Sequence, residues 1–185
     1  MKYPRSDLGS DILHLREWRL ADAEAIRDAF ADPAIRQSIP DLPESPSVRD
    51  GGSYIRHARA QTDAGTAIYL AIASREDDAA IGSVTFHITS DRHWFVGYWL
   101  TPAWRGRGIT TAALRLAARW AFSTFEPLMR ISLFTRPDNT ISQRVAVGAG
   151  FLEEGVLRRW HESGGVLKDV VMFSLIRDDV AINQG

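Results

Sequence analysis

Two glycines and two arginines alternate in the turn Arg105-Gly106-Arg107-Gly108, which is the stretch of the sequence best suited to hold a charged ligand. Glycine allows backbone conformations and close approaches that a side chain would block, and arginine adds charge-assisted hydrogen bonds to an anion. The turn leads directly into an apolar repeat of helical period, so the unpaired first amides and the positive dipole end of that helix face the turn. Such a helix start is a natural cradle for a phosphate.

Other phosphate-binding motifs fit this turn poorly. No lysine follows any of these glycines, as a Walker loop would require, and Thr111 stands where the dinucleotide fingerprint needs a third glycine. The run Gly148-Ala149-Gly150 follows a predicted helix and is typical of a helix end. Gly-x-Gly patterns are common by chance, so a second interpretation stays open at this point: the glycines only shape a turn, and both arginines are solvated.

Histidines are the candidates for acid–base catalysis, since the ordinary pKa of their side chain lies near neutral pH. His87 lies on the face of its predicted strand opposite Val84 and Phe86, and His93 stands at the entry to the next strand. We rank both as candidate catalytic bases, with a surface or structural role open for each. The five histidines show no metal-ligand spacing, and the absence of cysteine excludes thiolate metal sites and a cysteine nucleophile. No metal is therefore expected.

The elements that must position these residues follow from the periodicity of the apolar residues. Alternation predicts seven strands, at about 12–20, 66–73, 80–88, 94–100, 130–135, 151–157 and 170–176. Helical periodicity predicts four helices, over 23–32, 53–61, 106–122 and 139–147. The proline-rich stretch 39–52, which ends in a glycine pair, is expected to be a loop throughout. We therefore predict an α+β fold, with a mixed, mostly antiparallel seven-stranded sheet flanked by about four helices.

Composition narrows the class of protein. The 185 residues are 45% hydrophobic, which suits one core, so residues 1–185 are expected to form a single domain. The formal net charge of −1 gives no electrostatic case for binding nucleic acid or an anionic membrane. No apolar stretch reaches the roughly 18 residues of a membrane span, and the first residues lack the apolar run of a signal peptide. A cytoplasmic protein without a membrane partner is expected.

The pattern Arg105-x-x-Gly108-x-Thr110 resembles the pyrophosphate signature Gln/Arg-x-x-Gly-x-Gly/Ala of the GNAT superfamily of acyl-CoA-dependent N-acetyltransferases, except at its last position. Further segments are similar to the Rim-type branch, which includes the ribosomal-protein N-terminal acetyltransferases. They are LHLREWRLADAEAI, YWLTPAWRGRG, NTIS, GAGF, EGVLR and KDVVMFSLI. The resemblance covers about residues 13–176 and implies the GNAT acyl-CoA N-acyltransferase fold, whose order of elements agrees with the predicted one. Ala112 departs from the branch's usual glutamate.

The resemblance implies acetyl-CoA as the acyl-donor co-substrate. The residues implied to bind it are Leu100, Thr101, Arg105, Gly106, Arg107, Gly108, Ile109, Thr110, Asn139 and Ser142. Backbone groups of Leu100 and Thr101 would hold the pantetheine and thioester, and the turn with the helix start would hold the pyrophosphate. Asn139 would bond to the pantetheine arm. Ser142 would lie near the sulfur as a catalytic general acid for the departing thiolate.

The implied reaction is direct attack of a primary amine on the thioester, which needs no covalent intermediate and therefore no cysteine. The acceptor side would be walled by the loop 39–42 and the turn 160–162. Its candidate substrate-binding residues are Ile39, Asp41, Tyr98 and Trp160. The acceptor stays open between a protein N-terminus and a small-molecule amine. The donor also stays open, since a longer acyl-CoA or an aminoacyl-tRNA would suit the same fold. A catalytically silent module that binds CoA or a partner is a further alternative. The oligomeric state stays open as well, with a homodimer as one alternative.

Overall fold

The computed structural model describes residues 8–37, 39 and 42–182. Its strands are β1 (Leu13–Glu17), β2 (Ala67–Ser74), β3 (Ala80–Ile88), β4 (His93–Leu100), β5 (Arg130–Thr135), β6 (Leu152–Ser163) and β7 (Val166–Ile176). The α-helices of this part of the chain are α1 (Ala23–Ala31), α2 (Pro33–Arg36), α3 (Val48–Asp63), α4 (Ile109–Thr124), α5 (Thr140–Gly148) and α6 (Arg177–Ile182). The strands form one seven-stranded sheet in the order β1-β2-β3-β4-β5-β7-β6.

The sheet is antiparallel except between β4 and β5, and that parallel pairing is short. It covers only His93–Phe95 on β4 and Arg130–Ser132 on β5. On its other side β4 remains paired with β3 as far as Leu100. Beyond Phe95 the edge of β4 that faces β5 is unpaired, which opens a cleft between the two strands. Main-chain N–H and C=O groups need partners, so a ligand can bond to the backbone there.

Helices cover both faces of the central strands, because strands such as β2 are apolar on both sides. On one face α4 and α5 pack over a core that includes Phe86, Leu114 and Leu133. On the other face α1 and α3 cover a second cluster around Trp18 and Trp99. Among the described helices, none is both long enough and apolar enough to cross a membrane.

The predicted fold class and sheet are confirmed, but the prediction that the loop extends through residue 52 is wrong. Helix α3 begins at Val48, where Ser47 and Asp50 form a reciprocal capping box. Gly51 lies inside this helix, and a side chain is excluded there because a Cβ would come within 2.1 Å of the Ala23 carbonyl oxygen of α1. Gly51, the first glycine of the pair that indicated a loop, therefore allows two helices to pack closely. Two short helices, α2 and α6, add to the predicted four.

Candidate active site

Helix α4 begins on the glycine–arginine turn with free amides. Gly108 is its N-cap residue at φ 73°, Gly106 has φ 76°, and no side chain caps this helix start. The first bond within the helix runs from the Ala112 amide to the Gly108 carbonyl, so the amides of residues 109–111 lack helical partners. A Cβ on either glycine would meet no described atom within 4 Å. The positive φ values favour glycine at both positions. The open space beside the unpaired amides fits an anion.

Arg105 ties this turn to two other parts of the fold. Its Nε donates to the Leu100 carbonyl at 3.0 Å, and its Nη2 donates to Asp32 Oδ1 at 2.7 Å. With a longer bond from Nη1 to the same carboxylate, three of the five guanidinium N–H groups are used, which leaves two for another anion. Arg107 instead lies over the Trp104 ring, with 5.4 Å between its guanidinium carbon and the ring centroid.

Asp32 is a residue of this site that the sequence analysis missed. Its carboxylate also accepts the Ile35 amide at 3.0 Å and so caps helix α2. Partial burial raises the pKa of Asp32, but the hydrogen bonds from Arg105 and from the Ile35 backbone outweigh it and keep the pKa below its ordinary value. The carboxylate is therefore ionised at neutral pH and available to orient Arg105.

The strand register decides which backbone groups of β4 face the cleft. The Thr101 amide and hydroxyl both donate to the Ile81 carbonyl of the neighbouring strand, so they point toward β3. Because hydrogen-bonding direction alternates along an antiparallel strand, the main-chain groups of Leu100 and Tyr98 point away from β3, toward the cleft. The Leu100 carbonyl is occupied by Arg105. The main chain of Tyr98 is a further candidate contact, which only the register could reveal.

Asn139, Ser142 and Tyr98 meet across the cleft. Asn139 caps helix α5, since its Oδ1 accepts the Ser142 amide at 3.1 Å. The Tyr98 hydroxyl lies 2.8 Å from Ser142 Oγ and 3.1 Å from the Ser142 carbonyl oxygen, within hydrogen-bond distance of both. Burial raises the pKa of Tyr98 to about 12, so the phenol keeps its proton. The structure thus brings Tyr98 to Ser142 on the α4–α5 face of the sheet, whereas Trp160 stands elsewhere.

His93 belongs to a polar chain on the opposite face of the sheet. Its Nε2 lies 2.8 Å from Ser132 Oγ, which also accepts a hydrogen bond from Arg130 Nε at 3.0 Å. Arg130 in turn pairs with Glu154, and Ser174 donates to the same carboxylate. Burial above all, and then the positive charge of Arg130, lower the pKa of His93. A neutral imidazole held beside the end of the β4–β5 pairing is suited to accept a proton.

His87 lies nearby on β3, opposite Phe95 in the strand register. Its ring is near that of Tyr69, with 6.3 Å between the centroids, and desolvation lowers the pKa of His87. Neither His87 nor His93 belongs to a metal-like arrangement, since the described residues contain no group of three or more His, Cys, Asp or Glu that could hold a metal ion.

Aromatic rings from three strands line the same face as His93; we call Phe95, Phe134, Trp160 and His161 the aromatic wall. The Trp160 ring centroid lies 5.9 Å from that of Phe95 and 5.0 Å from that of Phe134. The rings of Phe134 and His161 are 4.9 Å apart. Trp160 is 45% exposed, so this wall offers an open aromatic surface beside the cleft.

The other two predicted acceptor residues follow helix α2. Ile39 is partly buried against the cluster of Trp18 and Trp99. Asp41 lies outside the described residues. Of the predicted acceptor residues whose positions are described, Trp160 is therefore the one on the aromatic wall.

Comparison with known proteins identifies the family to which this chain is similar. Residues 13–152 match the family described as the acetyltransferase (GNAT) domain. The chain is 27% identical over 176 residues to the N-acetyltransferase p20 of Bacillus licheniformis, covering 94% of this chain and 98% of that protein. The structure of the microcin C7 self-immunity acetyltransferase MccE, in complex with acetyl-CoA and AMP, is 25% identical with a TM-score of 0.78, over 92% of this chain and 97% of that one.

A Rim-type enzyme is also among the similar structures. RimJ of Mycobacterium smegmatis, in complex with CoA-disulfide, is 27% identical with a TM-score of 0.75, over 95% of this chain and 86% of that one. The family match covers most of the chain, and its elements have the order that the resemblance implied. The chain therefore belongs to the GNAT acetyltransferase family, in its Rim-like branch, and is an acyl-CoA-dependent transferase.

Proposed function

We propose that the protein transfers an acetyl group from acetyl-CoA to a primary amine by direct attack in a ternary complex. The observation that carries this proposal is the uncapped start of helix α4, opened by Gly106 and Gly108, beside the unpaired edge of β4. The first provides amides for a pyrophosphate, and the second provides backbone groups for an extended amide-containing arm. The acetyl-CoA in the similar MccE structure supports the same donor.

The chain's own residues have distinct tasks in binding. The amides of Gly106–Thr110 and the two unused N–H groups of Arg105 hold the pyrophosphate, while backbone groups of Tyr98 and Leu100 hold the pantetheine arm. Asn139, whose Oδ1 is used within helix α5, bonds to the arm through its amide N–H groups. When bound, acetyl-CoA supplies an acyl group activated as a thioester. The cleft residues would hold that thioester in a fixed orientation for the attacking amine.

The amine's proton is assigned to His93, and stabilisation of the departing thiolate to a hydrogen bond from Ser142. His93 accepts the amine's proton, directly or through water, because its lowered pKa keeps the imidazole neutral near pH 7. We favour His93 over His87 because Ser132 holds its ring next to the last paired residues of β4 and β5. Ser142 offers a hydroxyl donor to the departing sulfur from the start of α5.

The acceptor is a primary amine that rests on the aromatic wall. The exposed ring of Trp160 favours an acceptor that carries a flat or apolar group beside its amine. A small molecule of this kind and a protein N-terminus with an apolar first residue both meet this requirement. The AMP in the MccE structure is an example of a flat group bound by a similar protein.

A panel of amines with acetyl-CoA, followed by chromogenic detection of the released thiol, tests the proposal. We expect thiol release with at least one amine, and more from amines that carry an aromatic group. Parallel reactions with longer acyl-CoA thioesters test the donor. Binding without thiol release from any amine would favour a silent CoA-binding module, and no binding of any acyl-CoA would refute the proposed donor site.

A further inference from the structure

The contact between Tyr98 and Ser142 crosses the open part of the sheet. Tyr98 stands on β4 beyond Phe95, the last residue that pairs with β5, and Ser142 stands in the first turn of α5, 44 residues later. Both side chains are partly buried. The hydroxyl contact therefore connects the two walls of the cleft at a place where the backbones of β4 and β5 no longer pair.

The hydrogen atoms at this contact can be counted. The Ser142 amide is used by Asn139, and the Tyr98 hydroxyl, with its single proton, donates either to the Ser142 carbonyl or to Ser142 Oγ. When Tyr98 donates to the carbonyl, Ser142 Oγ is free to donate to the phenol; when Tyr98 donates to Oγ, the shorter of its two contacts, the serine's own proton is directed away from the phenol and is available to a ligand in the cleft. Because burial keeps Tyr98 protonated up to a pKa of about 12, it remains a donor throughout the range in which a thiol ionises.

We propose that Tyr98 is a positioning residue that directs the Ser142 hydroxyl into the cleft as a hydrogen-bond donor to the sulfur of CoA. This inference rests on the proposed function, since it assumes that the thiol end of CoA lies at Ser142. Tyr98 itself transfers no proton and does not touch the sulfur. Its effect on the reaction is entirely through the orientation of Ser142.

Binding of CoA and of desulfo-CoA, which lacks the sulfur, tests the inference without any turnover. We expect the wild-type protein to prefer CoA increasingly as the pH rises through the thiol pKa, because a hydroxyl donor stabilises the thiolate. Tyr98→Phe and Ser142→Ala should each reduce that preference at high pH by on the order of tenfold, the size of one charge-assisted hydrogen bond, and the double variant should lose no more than either one. Affinity for desulfo-CoA should be unchanged.

Tyr54→Phe is the matched control, because burial also raises the pKa of Tyr54 to about 12 but its ring packs against Trp18 and Phe30 in the other cluster. It should retain the preference for CoA. A Tyr98→Phe protein that keeps the full preference, or loses it independently of Ser142, overturns the inference while the proposed function stands. A wild-type protein that binds neither ligand overturns both. In turnover, Tyr98→Phe should lower kcat with little change in the KM for acetyl-CoA.

Discussion

Asp32 and Arg105 stand 73 residues apart in the sequence, yet Asp32 Oδ1 and Arg105 Nη2 are 2.7 Å apart in the fold. The Asp32 side chain is only 12% exposed, and it also caps helix α2. One carboxylate therefore couples the N-terminal helices to the turn that opens α4. The proposed pyrophosphate site depends in this way on a residue far from the glycine motif.

Replacing Asp32 by Asn should weaken acetyl-CoA binding. The amide can still cap α2, but it loses the charge-assisted bond that orients Arg105, so the KM for acetyl-CoA should rise by about two- to fivefold, as for one partly exposed ion pair, with kcat unchanged. Asp28→Asn, which removes an exposed ion pair with Arg27, is the control. Tighter binding in Asp32→Asn would instead mean that Asp32 competes with the ligand for Arg105.

The pH dependence of this ion pair has a definite sign. Because the pKa of Asp32 in the folded protein lies below its ordinary value, the pair contributes to the free energy of unfolding above that ordinary value. The contribution is lost as the pH falls through the lowered pKa. Asp32→Asn should therefore flatten the acid limb of a plot of melting temperature against pH, relative to Asp28→Asn.

Gly108→Ala should abolish most of the thermal stabilisation by acetyl-CoA. An alanine at φ 73° is strained by roughly 1 kcal/mol, and its methyl group projects into the open space over the helix amides. Gly164→Ala is a matched control, since Gly164 has φ 60° in the β6–β7 turn and equally open surroundings. Thermal melts with and without acetyl-CoA measure both effects. Without ligand, the two variants should lose similar amounts of melting temperature relative to the wild-type protein. Equal ligand shifts in both variants would argue against the proposed cradle.

His93→Gln should remove the acid limb of the pH–rate profile and lower kcat by about 100-fold or more, the usual contribution of a general base. The base is active when neutral, and its pKa is lowered, so in the wild-type protein the rate should fall only as the pH drops below the ordinary histidine range. His87→Gln tests the neighbouring histidine on β3 and should leave the limb in place. If both variants keep the wild-type profile, proton transfer proceeds through water without either histidine.

Trp160→Ala should raise the KM for the acceptor amine and leave the thermal shift with acetyl-CoA unchanged. The ring contributes an exposed aromatic surface next to Phe95 and Phe134, and loss of one stacking partner should cost about tenfold in affinity for an aromatic amine. Steady-state kinetics with aromatic and aliphatic amines measure the difference. Val166→Ala, at another exposed apolar position on the same hairpin, should be neutral. An unchanged KM for every amine would exclude the aromatic wall as the acceptor side.

Local patterns in the sequence were sufficient to predict the α+β class, the order of the strands along the chain and a helix after the glycine pair, although that helix was predicted from residue 106 and begins at Ile109. Each of these depends on neighbours within a few residues: alternation for a strand, helical period for α4, and the conformational freedom of glycine at a turn. Where a second element intervened, the local prediction failed. The glycine at position 51 indicated a loop, but it lies within α3. It is glycine because Ala23 of another helix leaves no room for a side chain.

Tertiary structure alone decided how the candidate site is connected. Three contacts of the site join residues between 39 and 73 positions apart, and no spacing in the sequence marks them as partners. They are Asp32 with Arg105, Tyr98 with Ser142, and His93 with Ser132. Their contacts depend on strand register, on the place where β4 and β5 stop pairing, and on how α2 and α5 pack against the sheet. The sequence determined which chemical groups are present, whereas packing determined which of them meet, because hydrogen bonds form over about 3 Å of space regardless of separation along the chain.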